Sequence, residues 1–145
     1  MSDDSGDSKT SSETTNLDRL TQYFEEVWNL RLEESIDKYM WPDVRAHGIQ
    51  DEPLDREGFK VAWRAFLETF PDMKVLLDDV TGNEDTTAAR LTIVGTHLGN
   101  GLGIPATGRP VKFGAQTFCR WRDGRVIEGW NVIDMASVYR QTSGT

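Results

Sequence analysis

The stretch Val111-Lys112-Phe113-Gly114-Ala115-Gln116-Thr117-Phe118-Cys119-Arg120-Trp121-Arg122-Asp123-Gly124-Arg125-Val126-Ile127-Glu128-Gly129-Trp130-Asn131-Val132 decides the fold. Apolar residues alternate through Val111, Phe113 and Ala115, a second strand-like run extends from Val126 to Val132, and Asp123-Gly124 is a turn signal between them. This is a hairpin of two antiparallel strands. A two-residue turn would set Arg122 opposite Arg125, an unfavourable like-charge pair, so a three-residue loop ending in Gly124 is expected. With that loop, Thr117, Cys119, Ile127, Gly129 and Asn131 share one face, while Glu128 and Trp130 point the other way. A change of one residue in loop length would hand that face to Gln116, Trp130 and Asp134.

Two more strands precede the hairpin, through Met73, Val75 and Leu77 and through Ala89, Leu91 and Ile93, with Thr81-Gly82-Asn83 as the turn between them. Upstream the period is helical. Leu17, Leu20, Phe24, Val27 and Trp28 form one stripe, with Thr14, Thr15 or Asn16 as cap. A shorter helix carries Leu32, Ile36, Tyr39 and Met40 and stops at Trp41-Pro42, because the residue before proline is pushed out of helical geometry. Asp55 caps a third helix, whose stripe runs through Phe59, Ala62, Trp63, Phe66, Leu67 and Phe70 to Pro71. Four strands follow three helices, so an α+β domain with helices packed on one face of a curled antiparallel sheet is expected over 16–145. Residues 1–15 are almost entirely polar and are expected to form a disordered acidic tail.

A formal charge of −8 argues against a nucleic-acid surface, which needs clustered Lys and Arg. One cysteine, no apolar run of about 20 residues and no basic-then-apolar leader point to a cytoplasmic protein without a membrane span. Five Trp, six Phe and three Tyr suffice to build a core and still line a cavity.

The Gly99-Asn100-Gly101-Leu102-Gly103 run lacks the Lys-Ser/Thr ending of a phosphate loop and leads to Pro105, so it reads as a long connection between strands. His47 and His97 have no partners at metal-ligand spacing, and no metal site is expected. Each remains a candidate proton carrier or a structural residue. Cys119 reads as a small core residue. Trp28, Trp63 and Phe66 sit on helical stripes, and are either core or the apolar wall of a pocket. Asp134 is either a candidate carboxylate or the cap of a terminal turn through Met135 to Gln141.

From about Leu17 to Gln141 the chain resembles the SnoaL-like polyketide and ester cyclases, within the wider family typified by nuclear transport factor 2 and ketosteroid isomerase. Trp41-Pro42-Asp43-Val44, Phe70-Pro71-Asp72, Gly95-Thr96-His97-Leu98-Gly99, Gly103-Ile104-Pro105-Ala106-Thr107-Gly108-Arg109 and Asp123 to Trp130 carry the resemblance, in the family's order. It implies a cone-shaped barrel of N-terminal helices on a curved antiparallel or mixed sheet. It also implies a small hydrophobic carbonyl compound as ligand, acid/base chemistry without a cofactor, and a homodimer or higher homo-oligomer.

The family's catalytic aspartate corresponds to Asn131 and its assisting histidine to Thr117. Asparagine forms hydrogen bonds but has no proton to exchange near neutral pH. The candidate set is therefore Asn131, His97, His47 and Asp134 for chemistry, with Thr117, Trp28, Trp63, Phe66, Trp130 and Gln116 for substrate. The alternative reading is a ligand-binding module that has lost the chemistry.

Overall fold

The computed structural model describes residues 15–143, so the tail expected for residues 1–14 lies outside the described residues. Thr15, the last residue assigned to that tail, caps α1 (Asn16–Tyr23). Its hydroxyl accepts from the Asp18 amide at 3.1 Å and its own amide donates to the Asp18 carboxylate at 3.3 Å, a reciprocal capping box. The helix then widens into a π-helical segment, Phe24–Asn29, closed by the Leu30 amide reaching back five residues to Glu25 O. Asn29 ends it with a paired amide contact to Val75 N and O, tying the helix to a sheet edge.

The second helix, α2 (Glu33–Tyr39), stops where the proline was expected to stop it. Beyond it lies a strand that the periodicity did not reveal, β1 (Met40–His47). It lies at the edge of the sheet and pairs in parallel with the last strand, through Ala46 with Gly129 and His47 with Trp130. An edge position tolerates Pro42, which has no amide to give to a ladder. Helix α3 (Arg56–Thr69) follows, capped by Asp55, whose carboxylate accepts from the Gly58 amide at 2.8 Å. Strands β2 (Lys74–Gly82), β3 (Thr86–Thr96), β4 (Pro110–Arg122) and β5 (Arg125–Ile133) run antiparallel in sequence, and α4 (Met135–Thr142) closes the fold.

The sheet order is β1-β5-β4-β3-β2, so there are five strands rather than four and the sheet is mixed. It is also open, because the edges β1 and β2 do not bond to each other; the expected cone is a curved sheet, not a closed barrel. Its inner face packs against α1, the π-helix and α3 through Leu20, Val27, Phe59 and Trp63 on the helices and Val75, Leu91, Phe113 and Trp121 on the strands.

The Gly-rich connection between β3 and β4 lies on the last turn of α3. A Cβ on Gly99 would come 1.9 Å from Glu68 O and one on Gly101 2.3 Å from Ala65 O, so glycine here permits a backbone-to-backbone approach. His97 pins the other side of this loop. It is fully buried against Phe70, with Nε2 3.2 Å from Ile104 O and Nδ1 3.1 Å from the Thr107 hydroxyl.

The hairpin corrects the expected loop length. Arg122 pairs directly with Arg125 across a two-residue turn, with Asp123 at φ 50° and Gly124 at φ 81°, the left-handed pair of a tight hairpin. The like-charge cost, about 0.2–1 kcal/mol, is met by Trp41. The Arg122 guanidinium lies 5.5 Å and the Arg125 guanidinium 4.6 Å from its ring centroid, and each such contact contributes about 0.5–1 kcal/mol at an exposed site.

A bulge then restores the face. Arg120 pairs with Glu128 but Trp121 pairs with Val126, leaving Ile127 as the extra residue. The two differences of one residue add to a full pleat, so Asn131 keeps its face and stands directly opposite Thr117 rather than one pair along. Val126, not Ile127, joins the inner face.

Candidate active site

Between the helices and the inner sheet face is a cavity of about 90 Å³. Its apolar wall comes from Phe24 and Trp28 on the first helical segment, Phe59, Trp63 and Phe66 on α3, and Val44, Leu91, Ile93 and Val126 on the strands. Trp28, Trp63 and Phe66, left open between core and pocket wall by their helical spacing, are among the lining residues. Trp28 meets both Phe59 and Phe66 edge to face at 6.1 Å, and Trp63 donates its indole proton to Val27 O at 2.9 Å, so these rings are held by their own contacts.

Polar groups enter from two sides. Thr117, Cys119 and Asn131 come from the hairpin, and Tyr23 from α1. The Tyr23 hydroxyl accepts from Trp28 Nε1 at 3.1 Å, and its own proton remains to be given. Sequence reasoning missed Tyr23, because a five-residue spacing does not align side chains on an α-helix. The π-helical turn between them brings Tyr23 and Trp28 together. Its only sequence signal was the three-residue step from Leu20.

Burial pushes the Tyr23 phenol and the Cys119 thiol further above their ordinary ranges, so both stay protonated. The Thr117 hydroxyl and the Cys119 sulfur are 3.6 Å apart. Asn131 donates its amide nitrogen to His47 O at 2.9 Å, which fixes the orientation of the group and leaves Oδ1 as its remaining acceptor. No Asp, Glu, His, Lys or Arg is among the residues lining the cavity.

The other sequence candidates lie elsewhere. His97 holds the loop described above. Asp134 caps α4, accepting from the Ser137 amide at 3.0 Å. His47 projects from the outer sheet face, where Nε2 is 2.7 Å from a Glu128 carboxylate oxygen and the ring stacks on Trp130 at 5.3 Å. Gln116 and Trp130 are both exposed on that outer face, since alternation along β4 and β5 turns them away from Thr117 and Asn131. The structure therefore brings together Asn131, Thr117, Trp28, Trp63 and Phe66, with Gln116 bordering the cavity although it is exposed, and separates them from His47, His97, Asp134 and Trp130.

Among the described residues no group of three or more His, Cys, Asp or Glu side chains is placed to hold a metal ion. No helix among them is long and apolar enough to cross a membrane.

No curated protein matches the sequence. Solved structures do. A protein from Jannaschia sp. CCS1, described as a candidate SnoaL-like polyketide cyclase, shares the fold at a TM-score of 0.83 and 23% identity, over 90% of this chain and 92% of that one. IdmH from Streptomyces antibioticus, described as a candidate polyketide cyclase, is 29% identical over 90% of this chain and 99% of its own, with a TM-score of 0.78. AclR from Streptomyces galilaeus, described as a candidate hydroxylase, is 26% identical over 87% of this chain and 80% of its own, at 0.76. The family model of SnoaL-like polyketide cyclases spans residues 18–142, nearly all of the cavity-forming architecture. With helices, mixed sheet and family model in agreement, the chain belongs to the SnoaL-like polyketide cyclase family.

Proposed function

We propose that this chain encloses a small hydrophobic, enolisable carbonyl compound and promotes its ring closure by folding it and polarising a carbonyl, with no protein carboxylate as base. The observation that carries this reading is the lining itself, an apolar cavity with proton donors on two walls and no titratable proton acceptor. Tyr23 and Thr117 can donate to a carbonyl oxygen in surroundings where a hydrogen bond is strong. The enol form of a dicarbonyl is already the nucleophile: its carbon bonds to the polarised carbonyl carbon as that C=O π bond breaks. The donor gives its proton to the new alkoxide, the enol O–H proton replaces it, and confinement in a reactive geometry lowers the barrier further.

The test is incubation with a hydrophobic 1,3-dicarbonyl compound, followed by chromatography of the products. Ring closure faster than in buffer, slowed on the order of 10²–10³-fold by Tyr23→Phe, is the expected result. A compound that binds yet returns unchanged would sink this reading in favour of a non-catalytic binding module. The Asn131 amide favours that second reading, because it offers a ligand hydrogen bonds, through Oδ1 and the N–H not given to His47 O, but no exchangeable proton near neutral pH.

We also propose that two copies pair through the outer sheet face. Phe118, Trp130 and Val132 are exposed there. Arg45 on β1 and Asp78 and Asp79 on β2 stand at opposite edges and are paired within the chain to Glu128 and Arg90, so these apolar side chains carry the contact in a two-fold arrangement. Sedimentation equilibrium showing only monomer at micromolar concentration would remove this proposal.

A further inference from the structure

At the tip of the β4–β5 hairpin, like charges are gathered, and Asp123, the carboxylate between them in the chain, is not ion-paired to them. Arg122 and Arg125 are direct cross-strand partners, and both guanidinium groups lie by the Trp41 ring. Trp41 is itself fixed, donating its indole proton to Arg122 O at 2.8 Å. Arg19 of α1 lies across the turn, with its Nε 3.3 Å from where a Cβ on Gly124 would stand, and Asn16 Oδ1 accepts from its Nη1 at 2.8 Å.

Some cations elsewhere find acids. Arg45, Arg64 and Arg90 each sit by a carboxylate. Among the described residues Arg19, Arg122 and Arg125 form no ion pair, and neither does Asp123 in the turn. The carboxylate whose field Arg125 does reach, Asp37, is already engaged by Lys60 at 2.9 Å and Arg56 at 3.0 Å.

We propose that this hairpin tip binds a phosphate group. Arg122 and Arg125 share the Trp41 ring and Arg19 lies across the turn, each with a planar fork of N–H donors that matches a phosphate's oxygens, and a bound dianion would relieve the Arg122–Arg125 repulsion that Trp41 only offsets. The site is distinct from the cavity but adjoins it. Arg19, Trp41 and Arg125 are the chain neighbours of Leu20, Met40 and Val126, which line the cavity. The phosphate is either a free ion or an ester on an organic ligand.

The test is an NMR titration of the full chain with inorganic phosphate at constant ionic strength, following the arginine Nε–H and tryptophan indole N–H signals. Saturable shifts at Arg19, Arg122, Arg125 and Trp41, absent with chloride, are expected. The Arg122→Gln/Arg125→Gln double variant should bind about tenfold more weakly or worse. Should that variant fold poorly, Arg122→Lys keeps the charge but loses the fork and should also weaken binding. Tighter binding of phenyl phosphate identifies an organic ester as the ligand, and equal binding a free phosphate. Equal responses to phosphate and chloride, or unchanged affinity in a folded variant, would overturn the proposal.

Discussion

Strand β4 carries two different chemistries on alternate residues. Inward, Ala115, Thr117, Cys119 and Trp121 are buried; outward, Gln116, Phe118, Arg120 and Arg122 are exposed. The inner face offers neutral donors and no group that titrates near neutrality, whereas the outer face gathers His47 and Glu128 with Arg45 and Arg120 around the Trp130 ring. The difference teaches where acid/base chemistry is available. Both histidine and carboxylate exist in this chain, but a period of two puts them one residue out of phase with the cavity.

The largest expected test of that contrast replaces one tryptophan on each side. Trp63→Ala should cost about 3–5 kcal/mol of stability in urea unfolding, because it empties packed space and orphans Val27 O. Trp130→Ala should cost about 0.5–1.5 kcal/mol, since the ring is already partly in solvent and loses mainly its contacts with His47 and Phe118. Equal losses would break the distinction between the two faces.

Next in size is Asn131→Asp, which tests whether the inner face can be given a base. The new carboxylate would stand against His47 O, where the amide now donates, and should cost about 1–3 kcal/mol at neutral pH. Burial beside a carbonyl raises the folded-state pKa of this carboxyl above its unfolded value. The variant should therefore approach wild-type stability at low pH and lose stability as pH rises from the unfolded toward the folded pKa. A pH-independent difference in thermal unfolding would contradict that account.

Tyr23→Phe should cost about 1 kcal/mol by depriving Trp28 Nε1 of its acceptor, detectable as a lower denaturant midpoint with an unchanged slope. The smallest effect belongs outside. Glu128→Gln should change stability by about 0.2–1 kcal/mol, because the pair with His47 is part-exposed, and that difference should shrink further in high salt.

Much of this was legible in the sequence because each piece had a local cause. The α3 stripe from Phe59 to Phe70 follows from helical spacing and two stop signals, Asp55 and Pro71. Thr117 and Asn131 were placed on one face by counting along strands. What escaped depended on distant partners. Strand β1 exists because β5 lies beside it, some eighty residues later in the chain, and nothing near Trp41-Pro42 announces that pairing. Tyr23 was hidden by a helix whose period changes midway. The charge argument at Arg122 and Arg125 was sound in sign but lacked Trp41, a ring from the other end of the chain.

The bulge at Ile127 carries one more consequence. Ile127 belongs to neither neighbouring pair, so the ladder closes without it: Trp121 already meets Val126 and Arg120 already meets Glu128. Deleting Ile127 should leave a regular two-residue hairpin with Thr117 still opposite Asn131. The bulge thus works as a slack joint, taking up one residue of strand length before the change reaches the cavity. A loop graft at this tip can lose that residue without disturbing the lining.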